Sequence, residues 1–542
     1  MDSDIASLMS CSKNLNQAYS SYLCNSLQVE YKGKHLVSEF GVFEPYKLFW
    51  IKDKHLQQVR HFRCINFGDA NVKACDEKLE LQIYPLIKRL CCESLLSFDW
   101  DTALDIAPSF FYSFICECKN LQNLSFPLEA HDHRLCGHSR PMAPIWARKL
   151  PHLKKLRVFR VRLAVDGILA VGQMIAGAQN LECFSIEGEP EAYCRLHKLP
   201  AQRVKLSQAE TYIVNKRGLG TVKDMKSLLR KVIYEALSLK KSLRCLQIAN
   251  LPLDPAVNAC LKGCELRELT LKDVENIPEI AEALINHRFR LRKLHLMVSY
   301  KDLRWVRRML VNMHLGLEEL ILLTRIVQTE EIVSEVKGSL GEQREYLIDG
   351  ELIARQSATL KALAMHDMVG EEMLWMSSNF PLVEKLSGSS LIEYSCTIGF
   401  TFDSTNQRPT SLGLVLDEIR DCIEILYLVP KTLSESKMRL RIASAFEVCI
   451  QDLLIDAYHD AIERPVLKYV VFGMWSDWLF RVNWAPNTSG RLPYEPLWLP
   501  TVQNCRLAEN YDLLNGGKFR LYEASFMTDR LTNRLPAFRL GY

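Results

Sequence analysis

The chain is 542 residues long, with 68 Lys and Arg against 64 Asp and Glu and a formal net charge of +4 at pH 7. So close a balance argues against a dedicated nucleic-acid or membrane surface, which calls for a basic stripe. The opening Met-Asp-Ser-Asp-Ile lacks the regions of a secretory signal, and no apolar run reaches the roughly eighteen residues of a membrane span; the 18 cysteines therefore read as reduced thiols of a cytoplasmic or nuclear protein.

Residues 1–50 stand apart as a helical segment and linker. From there a short pattern, apolar-x-x-apolar-x-apolar, returns along the chain. In order it reads Val59/Phe62/Cys64, Leu95/Phe98/Trp100, Leu121/Leu124/Phe126, Leu153/Leu156/Val158 and Leu181/Phe184/Ile186. The clearest copies follow: Leu243/Leu246/Ile248, Leu266/Leu269/Leu271, Leu291/Leu294/Leu296 and Leu317/Leu320/Leu322. Further on come Leu360/Leu363/Met365, Val383/Leu386, Ile423/Leu426/Leu428 and Leu467/Val470/Phe472. First leucines at 243, 266, 291 and 317 are 23, 25 and 26 residues apart, within the window of leucine-rich repeats.

The last two apolar residues of each copy alternate as a half-buried strand demands. Between strands the period becomes helical: Leu303, Val306, Leu310 and Met313 share one face, and Asn276-Ile-Pro precedes a segment in which Ile280 and Leu284 point inward. The expected fold is an α/β leucine-rich-repeat solenoid, with a curved parallel sheet on the concave side, helices on the convex side and a short helical N-terminal cap. The repeats run over 51–473, with insertions near 189–240 and 326–358, and the aromatic-rich 474–542 caps the end. A degenerate unit is expected in the first insertion, around Val204. Leu269 belongs to the stacked core and Thr270 to solvent, so Leu269→Asp should be costly and Thr270→Asp nearly neutral.

The segments Cys118-Lys-Asn-Leu-Gln-Asn-Leu-Ser-Phe and Cys264-Glu-Leu-Arg-Glu-Leu-Thr-Leu resemble the cysteine-containing type of leucine-rich repeat. The ensemble is similar to the F-box/leucine-rich-repeat proteins, especially the irregular ones of filamentous fungi. Residues 4–29 resemble the second half of an F-box running into a first repeat strand. Asp4 and Leu8 match the start of its middle helix, Ser12-Lys13 a short conserved element, and Leu15, Leu23 and Leu27 its apolar core positions. The Leu-Pro-x-Glu-type element that opens the box has no counterpart, so the first half is expected to be missing. The resemblance implies a substrate receptor of an SCF-type (cullin–RING) ubiquitin ligase, with Asp4, Leu8 and Leu15 toward the adaptor subunit. The alternative is a stand-alone repeat protein with no ligase link.

No nucleotide loop, nucleophile elbow or catalytic constellation stands out, so neither catalysis nor a cofactor is expected. The cluster His131-Asp-His-Arg-Leu-Cys-Gly-His138 matches no common zinc spacing and reads as a polar loop. The cysteines Cys91/Cys92 and Cys116/Cys118 form no C-x-x-C pair and read as structural. The expected partner is a protein, with no nucleic acid and no membrane. Its site is the strand face opposite the core, at Arg157, Ser185, Gln247, Thr270, His295, Ile321, Ala364, Tyr427 and Val471, flanked by Lys155, Glu268, Lys293 and Glu319.

Overall fold

The computed structural model describes residues 25–32, 35–38, 41–43, 53–66, 85–101, 114–115, 117–128, 153–163, 168–188, 229–251, 253, 255–272, 274, 277–287, 289–299, 302–313, 315–325, 348, 350–367, 390–398, 423–430, 466–472, 478–481, 485–486 and 494–495. They fall into two units that divide between Leu266 and Arg267.

The first unit begins with an antiparallel meander, β1 (Ser26–Lys32), β2 (His35–Ser38) and β3 (Gly41–Phe43). On its other edge β1 starts a parallel ladder. The ladder continues through β4 (His61–Asn66), β5 (Ser97–Asp101), β6 (Asn123–Leu128), β7 (Val158–Leu163), β8 (Cys183–Gly188) and β9 (Cys245–Ala249). The repeat ladder thus begins at Ser26, inside the stretch read as a helical segment and linker. Each strand is entered through a forked hydrogen bond. Leu96 and Ser97 both donate to the Arg60 carbonyl (2.7 and 3.0 Å), Gln122 and Asn123 to Leu96, Arg157 and Val158 to Gln122, Glu182 and Cys183 to Arg157. This fork fixes the repeat register from one strand to the next.

Register corrects the sequence reading in two places. Phe159 and Val161 of β7 stand opposite Phe184 and Ile186, so the repeat is Leu156/Phe159/Val161, three residues beyond the Leu153/Leu156/Val158 expected. Next, β8 pairs directly with β9, Cys183 opposite Cys245, and Arg244 donates to the Glu182 carbonyl at 2.8 Å. No repeat strand lies between them; the residues from 189 form an insertion that leaves the ladder unbroken. Val204 lies outside the described residues.

The inward column of this unit mixes phenylalanine with leucine, and its rings stack. Phe62 stacks on Phe98 with ring centroids 5.4 Å apart, Phe126 on Phe159 at 6.0 Å, and Phe159 meets Phe184 at 5.8 Å. Such pairs add about 0.5–1.5 kcal/mol each beyond the area they bury. The helix Ile168–Gly177 and the π turn Arg230–Tyr234, which runs on into Glu235–Ser238, pack against one another.

The second unit is a parallel ladder of β10 (Glu268–Lys272), β11 (Lys293–Ser299), β12 (Glu319–Arg325), β13 (Ala362–Asp367), β14 (Glu393–Ile398), β15 (Ile425–Pro430) and β16 (Tyr469–Phe472). It ends in an antiparallel strand, β17 (Trp478–Arg481), within the section read as a cap. A short pair, β18 (Ala485–Pro486) and β19 (Tyr494–Glu495), follows. The inward column here is aliphatic, with Leu269, Leu294, Leu320 and Leu363 in register and buried. Each contributes about 1.5–3 kcal/mol of burial. The register also reveals a repeat that the sequence reading missed, Leu391/Tyr394/Cys396, with Tyr394 opposite Leu363 and Leu426. The expected Val383/Leu386 copy lies outside the described residues. The helices Ile277–His287 and Leu303–Asn312 pack together, with Ile280, Leu284, Leu303, Val306 and Leu310 buried as their spacing predicts. In both units a parallel ladder in repeat register carries helices between several of its described strands, which is the leucine-rich-repeat α/β fold.

Candidate protein-interaction face

Alternate residues of a strand point to opposite sides of its sheet, and the two units treat the side away from the core differently. In the first unit that side stays open. Strand β8 reads half-buried, buried, half-buried, buried along Cys183–Ile186. Arg63, Asp99, Ser125, Ser185 and Gln247 are half-buried, while Asn123 and Arg160 are exposed. Arg63, Asp99, Ser125, Arg160, Ser185 and Gln247 lie on one continuous rung across β4–β9. Arg63 pairs with Asp99 at 3.1 Å. Arg157, expected on this face, instead precedes β7 on the rim, where its guanidinium grips Glu182 through both carboxylate oxygens at 2.8 and 2.9 Å. Arg160 takes its place on the face. Next to it on the rim, Lys155 donates to the Asn120 side chain at 2.7 Å.

In the second unit both sides of the sheet are buried. Thr270 is 7 % exposed, His295 8 %, Glu319 4 % and Tyr427 1 %, and Ile321, Ala364, Glu393 and Ser395 are fully enclosed. The expected solvent positions Thr270, His295, Ile321, Ala364 and Tyr427 are therefore interior. Thr270→Asp is accordingly not neutral: it buries a carboxylate, as Leu269→Asp does. Glu268 and Lys293 are half-buried.

The structure does bring several of these residues together. Glu268, Lys293 and Glu319 share one rung, and Thr270, His295 and Ile321 the next but one. The Lys293 ammonium lies 3.2 Å from Glu319 Oε1, and His295 Nε2 3.6 Å from Oε2. Burial pushes the Glu319 carboxyl up, but the hydrogen bond from His295 and the charge of Lys293 outweigh it, so the group is held below its ordinary value. Across the sheet the Tyr427 hydroxyl donates to Glu393 Oε2 at 3.2 Å. These are interior contacts between neighbouring strands. Val471 stands opposite Tyr427.

The rim column carries a charge ladder in both units. In the second, Arg292 and Lys361 flank Glu318, and Lys468 meets Glu424 at 2.8 Å. Exposed pairs of this kind add about 0–1 kcal/mol each and serve mainly to keep repeats in step.

Asp4, Leu8, Leu15 and the cluster His131–His138 lie outside the described residues. Among the described residues there is no group of three or more His, Cys, Asp or Glu that could hold a metal ion. Among them, too, no helix is long and apolar enough to cross a membrane.

No protein-family model matches the sequence, and no curated protein matches it. Among solved structures, a leucine-rich-repeat protein of Leptospira interrogans matches with 12 % identity over 73 % of this chain and 90 % of its own, at a TM-score of 0.22.

Proposed function

We propose that the chain is a non-catalytic protein-binding scaffold whose partner lies across the open strand face of the first unit. One observation carries this reading. A parallel sheet normally has both faces covered, as in the second unit, yet β4–β9 leave Arg63, Asp99, Ser125, Arg160, Ser185 and Gln247 in register on an open side. Guanidinium, carboxylate, hydroxyl and amide groups alternate along that rung, which suits a polypeptide better than a phosphate backbone. Of the residues expected from sequence, Ser185 and Gln247 remain on this face and Arg157 beside it.

The test is site-specific photocrosslinking from a benzoylphenylalanine placed at Ser125, compared with one placed at the exposed Lys231 of the π turn. Specific adducts from Ser125 alone support the reading. Equal labelling from both positions, or adducts from Lys231 alone, would falsify it.

A narrower reading makes the scaffold a substrate receptor of an SCF-type ubiquitin ligase. It is supported by the resemblance of Asp4–Leu15 to an F-box, and with it goes a cytoplasmic or nuclear location. Its test is co-purification with the ligase adaptor, comparing the full chain with one deleted for residues 1–24. That deletion spares β1, which starts at Ser26. Binding lost on deletion supports the receptor; no binding by either leaves the stand-alone scaffold.

A further inference from the structure

Cys92 and Cys118 occupy the same place in consecutive repeats. The β5–β6 register sets Phe98 opposite Leu124, a step of 26 residues, and 92 to 118 is the same step. Each cysteine sits three residues before the first leucine of its repeat, Leu95 and Leu121. Neighbouring strands lie about 4.8 Å apart, within the roughly 4.4–6.8 Å between Cα atoms that a disulfide bridges. The two thiols are free, and each shifts the other's titration, Cys118 lowering Cys92 and Cys92 raising Cys118. Cys118 is buried and reaches the Phe114 carbonyl at 3.3 Å, while Cys92 is half-buried, 3.8 Å from Glu117 Oε2. Solvent therefore meets one sulfur of the pair and not the other.

We propose that Cys92 and Cys118 are a peroxide-oxidisable pair that closes into a reversible disulfide and clamps the repeats of β5 and β6 beneath the open face. The Cys92 thiolate attacks one oxygen of hydrogen peroxide; the O–O bond breaks, leaving a sulfenic acid and a hydroxide that takes up a proton to become water. The Cys118 sulfur then attacks the sulfenic sulfur. The S–O bond breaks and the departing hydroxide takes the Cys118 proton as a second water. Two thiols are oxidised, one peroxide is reduced, and a thiol reductant reverses the step. The order of attack follows the pair's asymmetry. The hydrogen bond from Cys118 lowers the Cys92 thiol against burial and Glu117, while the same bond and burial hold Cys118 well above the usual thiol range.

The test is stoichiometric hydrogen peroxide on the full native chain, an alkylation quench, and a non-reducing digest with a protease that cuts after glutamate. Glu93 and Glu117 separate Cys92 from Cys118, whereas trypsin leaves both within residues 90–119. The expected product is a linked pair of peptides that dithiothreitol separates, that persists in Cys91→Ser and that disappears in Cys92→Ser. It should form at least about tenfold faster in the folded chain than in urea, because folding supplies the juxtaposition. A link that survives Cys92→Ser, sulfinic acid at Cys92 with Cys118 still alkylated, or equal rates folded and unfolded would each overturn the proposal.

Discussion

At Gly172 a side chain has no room. A Cβ there would fall on the Val232 side chain and 2.7 Å from its carbonyl oxygen, where the helix Ile168–Gly177 crosses the π turn. At Gly263 an added Cβ would meet nothing within 4 Å. Gly172→Ala should therefore cost about 1–3 kcal/mol through overpacking, and Gly263→Ala should be neutral or slightly stabilising. Urea midpoints of the two variants check this; equal midpoints would show that the crossing yields freely. Glu319 gives a second residue-scale expectation. Its folded value lies below the ordinary 4.5, so its contribution is present in full above that value. It is lost as the pH falls through the lower folded value, where protonation uncouples it from His295 and Lys293. Glu319→Gln should flatten the acid limb of stability against pH below about 4.5 and leave the alkaline limb unchanged. Urea midpoints across that range would show it, and parallel acid limbs would assign the acid sensitivity elsewhere.

Each repeat strand presents one column to the core, and in β10 the column beside it is buried as well. Leu269→Asp and Thr270→Asp should both destabilise, the first by about 3–5 kcal/mol as an unpaired interior charge. In β7 the two sides differ: Phe159→Asp should be comparably costly, whereas Arg160→Asp on the open side should shift the midpoint within about 0.5 kcal/mol. A costly Arg160→Asp would mean that this face, too, is interior. The repeat period and most of the inward column were legible in the sequence because the leucines recur at strand spacing. The slip at β7 was not, because Leu153, Leu156, Val158, Phe159 and Val161 satisfy the pattern in two frames and only pairing to β8 chooses between them. Leu391 escaped because its repeat carries Tyr394 and Cys396 in place of leucines. A usable signal stood beside it: the hydroxyl just before the first leucine donates to the equivalent carbonyl one repeat back. Ser242 reaches Leu181, Thr359 reaches Leu317, and Ser390 reaches Leu360, at 2.8, 2.8 and 3.1 Å. The open face was only partly legible, since local alternation says which residues leave the core and not what else the chain places over them. The Cys92–Cys118 juxtaposition appears only when spacing is compared with the repeat length.

At the scale of the whole molecule, repeat stability is a sum of unit and nearest-neighbour terms, so a chain can carry insertions wherever the ladder closes behind them. The first insertion is the decisive case. Arg244 and Cys245 donate to the Glu182 carbonyl at 2.8 and 3.0 Å, the same fork that enters β4 to β8. Cys183–Glu187 pair residue by residue with Cys245–Ala249. The helical side is bridged separately: Lys240 donates to the Ala176 carbonyl at 3.1 Å, and Cys260 to that of Tyr234 at 2.9 Å. Among the described residues of this stretch the buried side chains begin with Leu229. Replacing residues 191–226 by a short Gly/Ser linker should leave the β8–β9 pairing and the urea midpoint intact. Loop-closure entropy changes by only about 0.6 kcal/mol for each twofold change in length. Carrying the deletion on through Ser238 removes Ile233, Tyr234 and Leu237 from the core and should unfold the first unit. Hydrogen exchange on Cys245–Ala249 separates the outcomes. Protection kept in the shorter deletion and lost in the longer fits a continuous ladder, while protection lost in both would mean that the insertion itself supports β9.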